Sequence, residues 1–477
     1  MKFPDIPVIQ PIYFDVTDIV SYAANNDRVS GIQRVHFNLI ADLSRKHGGE
    51  VVRGIFLHPQ TNDMVEFDPS RLFERGEFDA SAFLQQLGLE PVRRFLPRPR
   101  SIKNYLRRYD ANKGWRALKK LDIYISSVFM PSRLVSMGLK QQGSTPKWAL
   151  PLSPLERLPE GAHYVVLTAN NARLLPFSRL HRQRGGDMVQ MVYDLIPHVC
   201  ADLFAEERVS EFREWLGELA QQHPRVISIS ECTARDLRAY LGASAVGWDI
   251  QVVPLAHELD GFKRNEDVKL AEAALRRLPP SPFVLCVGTL ENRKNGITLL
   301  RAWERVVGEL GDAAPRLVFA GRYGWMIEEF KALLAAKPVL AGTVQVLESP
   351  GDRELAWLYG HCLFTVFPSL YEGWGLPVGE AAWFGKYSIV SSSSSLPEVC
   401  GDLADYVDPT DPAEMANMIR AAIAEPGHVA AKEAQIRQAP LRRWSDVADD
   451  VYRVVTQGPG LGANEGSQRE LRGAQPE

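Results

Sequence analysis

The residues best suited to chemistry are two carboxylates and two cations. Glu372 and Glu380, with seven residues between them, lie within Tyr371-Glu372-Gly373-Trp374-Gly375-Leu376-Pro377-Val378-Gly379-Glu380. Gly373 and Gly375 let a backbone approach a ligand closely, and Pro377 suits the first position of a helix, where a missing N–H costs nothing. The stretch reads as a loop opening into a helix, whose unpaired N–H groups and positive dipole end favour an anion or a sugar hydroxyl. Arg293 and Lys294 are adjacent at a second strand-to-helix loop. A helix start disfavours cations, so an anionic partner explains them better than solvation does. A diphosphate suits the pair, since guanidinium offers a fixed fork and ammonium a mobile point charge.

Strands and helices in alternation must position these groups. The apolar run Leu363 to Pro368 reads as a buried parallel strand before the first loop, and Phe283 to Val287 as the strand before the second. Further strands are expected at residues 11–20, Val51–His58, Tyr164–Thr168, Met188–Tyr193, Val226–Ser230, Ile250–Pro254, Leu317–Ala320 and Val344–Leu347. Ile32, Val35, Leu39, Ile40 and Leu43 give the helix after the first strand its apolar face. This strand, glycine-containing loop and helix make the opening unit of a nucleotide-binding α/β domain. A charged stretch at 257–282, ending Pro279-Pro280-Ser281-Pro282, reads as the linker between two such domains, and 477 residues are enough for two cores. Residues 457–477 have the composition of a disordered tail.

Composition narrows the classes. Apolar content of 45% fits a globular protein, and no run is long enough to span a bilayer. Met1–Asp15 lacks the pattern of a secretion signal, so a cytoplasmic location is expected. Cys200, Cys232, Cys286, Cys362 and Cys400 are odd in number and widely spaced, which supports neither a disulfide framework nor a zinc site. Between Arg93 and Lys120, eleven basic residues face one acid, Asp110, a local +10 in a chain whose formal net charge is −3. Ile102, Tyr105, Leu106 and Tyr109 fall on one helical face there, with Trp115 close behind. This segment lies in a stretch of unassigned structure at about 60–160. It has two readings: a helix lying on an anionic membrane surface, or a solvated basic helix packing its aromatic stripe on its own domain. No nucleic-acid recognition motif accompanies the charge.

Several motifs resemble the large bacterial group 1 family of retaining GT-B glycosyltransferases. The Glu372-to-Glu380 stretch resembles the sugar-nucleotide motif of that family, and Gly288-Thr289-Leu290-Glu291-Asn292-Arg293-Lys294-Asn295 resembles its Gly-Thr-Leu-Glu-Pro-Arg-Lys-Asn. Ser30-Gly31-Ile32-Gln33-Arg34 resembles the first-loop Gly-Ile-x-Arg. Tyr193-Asp194-Leu195-Ile196-Pro197 resembles a His-Asp-Leu-Ile-Pro segment in which Tyr193 replaces the histidine, leaving Asp194 or the nearby His198 as the polar group. The likeness is dense over about 283–455, ordered but sparser over 12–58 and 164–256, and silent over 60–160.

The resemblance implies an α/β fold with GT-B architecture, two doubly wound Rossmann-like domains facing across a cleft. Residues 1–256 would form the acceptor side and 283–435 the nucleotide-sugar side, with a helix at 436–456 crossing back. The implied reaction moves a glycosyl group from a nucleotide sugar to an acceptor hydroxyl with retention, either within a front-face ion pair or through a covalent sugar on Glu372. Arg293 and Lys294 would stabilise the leaving diphosphate without a metal or other cofactor, and Asp194 would act near the reacting sugar. Glu380 would hold the ribose, while Glu372 and the N–H groups of Gly373, Trp374, Gly375 and Leu376 would hold the transferred sugar. Gly31 and Gly288 would complete the donor site. The neighbourhood of Arg293 looks closest to polysaccharide mannosyltransferases. That implies GDP-mannose as donor, with UDP-sugars as the alternative, and a lipid-linked or oligosaccharide acceptor met at the inner membrane face. A retaining glycosidase would use two carboxylates but would explain neither Arg293-Lys294 nor the paired domains. A non-catalytic nucleotide-sugar-binding protein is the alternative from another class.

Overall fold

The computed structural model describes residues 10–24, 26, 31–72, 80–89, 106, 115, 117, 119, 120, 122, 123, 150, 152–168, 175–279 and 282–457. The chain divides into two compact units, Met1–Met191 and Val192–Glu477.

The first unit begins with β1 (Ile12–Asp15), α1 (Thr17–Ala23), α2 (Gly31–His47) and β2 (Val52–Leu57). It continues with β3 (Met64–Phe67), β4 (Ser153–Pro154), β5 (His163–Val166) and β6 (Asp187–Val192). These strands lie in the order β4-β3-β2-β1-β5-β6. β1 pairs in parallel with β2 and with β5, so the strand order reverses beside it, while β3 runs antiparallel to β2. The first strand is shorter than the apolar run suggested. The Thr17 N–H donates to Asp15 Oδ1 at 2.9 Å and turns the chain into α1, whose Ile19, Val20 and Ala23 are buried. On α2, Val35, Leu39, Ile40 and Leu43 form the buried face that their spacing predicts, while Ile32, in the first turn, is only partly buried. In the basic segment Leu106 is buried and Trp115 is 57% exposed; Ile102, Tyr105 and Tyr109, like the tail from residue 458, lie outside the described residues.

In the second unit, α3 (Glu206–Gln222), β7 (Arg225–Ser228), α4 (Glu231–Leu241) and β8 (Ile250–Val252) come first, with β7 and β8 parallel. A six-stranded sheet follows. Its members are β9 (Phe283–Val287), β10 (Arg316–Ala320), β11 (Val344–Leu347), β12 (Thr365–Phe367), β13 (Ser388–Ser391) and β14 (Asp405–Val407). Its helices include α5 (Gly296–Leu310), α6 (Leu376–Trp383), α7 (Pro412–Ala424) and α8 (Trp444–Thr456). Side chains alternate across the sheet as period-two strands require. Val284, Cys286, Leu317 and Phe319 bury with Trp303 of α5 and Ile419 of α7 on one face. Phe283, Leu285, Val318 and Ala320 bury with Tyr359, Trp383 and Phe384 on the other. Both faces are therefore covered, the condition that all-parallel sheets demand.

The stretch 257–282 joins this second core. Leu259, Phe262, Val268 and Leu278 are buried against it, and His257 N–H donates to the Arg442 carbonyl at 3.0 Å. Arg225 closes the end of α8 by donating to the carbonyls of Val455, at 3.1 Å, and Val454, two of the acceptors a helix leaves without partners. Among the described residues no helix is long and apolar enough to cross a membrane.

The sheet order β11-β10-β9-β12-β13-β14 fixes where a ligand can bind. From β9 the chain adds β10 and β11 on one side, then crosses to β12 and adds β13 and β14 on the other. The loops leaving the carboxyl ends of β9 and β12 thus splay in opposite directions, opening the crevice in which doubly wound sheets bind their ligands.

Candidate active site

Those two loops carry Arg293-Lys294 and Glu372. After β9, Glu291 is extended and Asn292–Lys294 form one 3-10 turn, closed by Asn295 in the left-handed region at φ 58°. Asn tolerates that conformation better than most side chains. The Asn295 amide also ties the turn down, Nδ2 donating to the carbonyls of Pro368 at 3.0 Å and Pro409 at 2.7 Å, while Oδ1 accepts from Thr298 Oγ1 at 2.7 Å. The turn that holds the cations is thereby fastened to the exit of β12 and to the segment after β14.

After β12 the chain passes Tyr371 and Glu372 and enters α6. The helix starts at Leu376, one residue before the expected Pro377, which stands second, still among the positions whose N–H has no partner within the helix, and Gly375 precedes it at φ 121° without a side-chain cap. Gly373 is required by proximity: a Cβ there would sit 2.2 Å from the Tyr193 carbonyl oxygen. The close approach places Glu372 beside the segment that follows β6, where Asp194 lies. The loop is fixed by Ser394 and Ser395: Glu372 N–H donates to Ser394 Oγ at 2.8 Å, and Ser395 Oγ donates to the Glu372 and Trp374 carbonyls at 2.9 and 3.0 Å. Tyr371 Oη donates to Asp236 Oδ2 of α4 at 2.5 Å.

The charged groups meet in one cluster. Arg293 Nη1 lies 2.7 Å from Glu372 Oε2, Arg293 Nη2 lies 2.7 Å from Glu291 Oε1, and Lys294 Nζ lies 2.5 Å from Glu372 Oε1. Arg293 Nη1 also donates to the Tyr371 carbonyl at 2.6 Å, and Lys294 Nζ sits 4.9 Å above the centre of the Phe367 ring. Glu372 and Glu291 are 7% and 5% exposed, while the Arg293 and Lys294 side chains are 14% and 18% exposed, so the carboxylates lie out of water and the cations at its edge. Burial alone would raise the Glu372 pKa, but Arg293 and Lys294 more than offset it and hold the carboxyl at about 2. Burial likewise opposes the Arg293 charge, and Glu372 and Glu291 more than restore it. For Glu291 burial prevails over the nearby cations and its pKa is raised. Asp194 is raised too, burial outweighing the pull of Arg293, while its Oδ1 accepts from Ile196 N–H at 3.0 Å.

The other expected residues take separate places. Glu380, on the second turn of α6, is buried and accepts from Tyr359 Oη at 2.9 Å. Gly288 follows β9 and lines a small cavity together with Thr289, Lys294, Phe367 and Ser369. Trp374 is buried, and among the described residues its Nε1 finds no hydrogen-bond partner. His198 packs edge-on against Tyr240 of α4 with ring centres 5.2 Å apart, and burial lowers its pKa. Gly31 opens α2 in the first unit. Sequence reasoning missed Glu291, although it stands in the same eight-residue run as Arg293. It also missed the tying role of Asn295.

Comparison with known proteins gives the class. Residues 270–440 match the family model of the glycosyl transferases group 1. The chain is similar in structure to the sucrose-phosphate synthase (tll1590) of Thermosynechococcus elongatus, with a TM-score of 0.57 at 17% identity, over 94% of this chain and 98% of that one. It superposes on Anabaena Alr3699/HepE, solved in complex with UDP and glucose, with a TM-score of 0.56 at 13% identity over 93% and 99% of the two chains. The chain therefore has the GT-B fold, with two Rossmann-like parallel-sheet domains, and its residues 270–440 are similar to the glycosyl transferases group 1. Among curated proteins it is similar to the O-antigen chain mannosyltransferase B of Escherichia coli, 28% identical over 223 residues. That match covers 47% of this chain and 58% of the relative.

Proposed function

We propose that the protein is a retaining glycosyltransferase that moves mannose from GDP-mannose to a hydroxyl of a lipid-linked or polysaccharide acceptor in surface-polysaccharide assembly. The observation that carries the reading is the buried Arg293–Glu372–Lys294 cluster at the switch point of the second sheet. As the glycosidic bond breaks, negative charge gathers on the leaving diphosphate. Arg293, Lys294 and the N-terminal end of α6 are fixed dipoles and charges that stabilise it with little reorganisation. No metal is needed for that step, and EDTA should leave turnover intact. Glu380 holds the ribose hydroxyls, Glu372 and the Gly373–Leu376 amides hold the sugar, and Asp194 acts near the reacting carbon. Residues 1–256 serve the acceptor, and 283–435 bind the donor.

The mannosyl choice is supported by the named activity of the Escherichia coli relative. UDP-sugars are the second reading within the same chemistry. A thermal-shift panel of GDP-, UDP- and ADP-sugars tests the donor, because a bound ligand raises the melting temperature by mass action. Stabilisation by UDP but not GDP would overturn GDP-mannose and leave the class standing. Donor binding without release of nucleoside diphosphate in the presence of a mannan-type acceptor would favour a non-catalytic binding protein.

A further inference from the structure

Arg293 is held by two buried carboxylates that differ in origin. Glu291 belongs to the same turn, two residues away, and takes only Nη2. Glu372 comes from the other side of the switch point and takes Nη1 together with the Lys294 ammonium. On the diphosphate reading above, on which this inference rests, the incoming phosphates need Nη1 and Lys294 Nζ. Glu372 and the diphosphate are therefore rivals for the same donors.

We infer that Glu372 is the exchangeable counter-ion of the cation pair and Glu291 the fixed one, so that a diphosphate takes Arg293 Nη1 and Lys294 over from Glu372 while Glu291 keeps the guanidinium oriented. Glu291 is then a positioning residue that nothing in the motif's donor contacts assigns. The exchange links two halves of donor recognition: Glu372 becomes available to a sugar hydroxyl only once phosphate has relieved it of the cations. It also moves a proton. The charged groups facing Glu372 are Arg293, Lys294 and Glu291 from the turn after β9 and Asp194 from the segment after β6. With both cations taken, Glu372 is left buried among acids, conditions that favour its neutral form, and binding draws a proton from the buffer.

Calorimetric titration of the full chain with GDP and with UDP, in buffers of different ionisation enthalpy, tests this. Wild-type protein should bind one of them with proton uptake. Glu372→Gln removes the rival charge and should bind the same nucleotide at least about tenfold more tightly, with the uptake reduced. Glu291→Gln should weaken binding by about tenfold and keep the uptake. Equal or weaker binding by Glu372→Gln, or undiminished uptake, overturns the inference while the diphosphate reading survives on the wild-type result. Absence of binding to either nucleotide by wild-type protein overturns both. Should Glu372→Gln fail to fold, Glu372→Asp, whose shorter carboxylate grips the cations less well, replaces it: tighter binding than wild type supports the exchange and weaker binding overturns it.

Discussion

The backbone N–H of Leu370 donates to the carbonyl of Arg293 at 2.8 Å. One hydrogen bond thus joins the loop that carries Glu372 to the turn that carries the cations, and the two cannot drift apart independently. The charged contacts are built on a backbone frame, which includes the Asn295 amide and the Ser394–Ser395 pair.

Removing one cation should cost both chemistry and stability. Loss of a single preorganised charge-stabilising group lowers turnover by roughly 100- to 1,000-fold, and that is the loss expected for Lys294→Ala. Arg293→Ala should do the same and additionally destabilise the fold by about 3 kcal/mol or more, because it leaves Glu291 and Glu372 facing each other in a buried site. Turnover assays beside thermal unfolding separate the effects. Near-normal turnover by both variants would contradict the diphosphate role.

Glu380→Ala should weaken binding of the free nucleoside diphosphate, whereas Glu372→Ala should impair turnover with the donor sugar without that loss. Calorimetry reads the first effect and steady-state kinetics the second. Equal losses of diphosphate affinity would deny the division between the two carboxylates.

Acid should destabilise the protein through Glu372. Its folded pKa, about 2, lies below the ordinary value of 4.5. The pair therefore contributes stability above pH 4.5 that is lost as pH falls toward 2, roughly 3 kcal/mol in all. Asp15 works in the opposite sense. Burial raises its pKa to about 6, so its ionised form costs stability above pH 6, and that cost is relieved as pH falls from 6 toward 4. Denaturation curves at successive pH values should show Glu372→Gln flattening the loss below pH 4.5. An unchanged acid limb would remove Glu372 from the account.

The basic stretch keeps its own test. The full chain should cosediment with anionic vesicles, little with neutral ones, and come off as salt rises. Changing Arg107, Arg108, Lys119 and Lys120 to Glu should abolish the association but spare transfer to a soluble acceptor. Unchanged vesicle binding by that variant would give the charge another purpose.

Most of the second sheet was legible from residue types. Phe283–Val287 is a continuous apolar run and Val344–Leu347 is apolar but for Gln345, and the ends of both strands were read correctly. The first strand was read too long because Ile19 and Val20 prolong the apolar run. A carboxylate accepting from an amide two residues on turns the chain there, and periodicity cannot register that. The stretch 257–282 looked like a linker because Leu259, Phe262, Val268 and Leu278 follow no helical or strand period. They are buried from irregular chain, which has none. Glu291 was invisible as a partner for a different reason. The spacing Glu-x-Arg says nothing about geometry until Asn295 closes the turn at positive φ.

Asn295 is followed by Gly296, the sequence context in which an asparagine amide is most readily lost, since little shields the next nitrogen from attacking the side-chain carbonyl carbon. In the folded chain that nitrogen opens α5, and the amide is pinned between the Pro368 and Pro409 carbonyls, so the reaction is held off. An unfolded chain has no such protection. Deamidation there would leave a carboxylate to face two carbonyl oxygens on refolding, and the turn that holds Arg293 could not reclose as before. The time the chain spends unfolded is thus the time in which this turn can be chemically lost, and a more stable fold protects the covalent structure of Asn295 as well as its geometry.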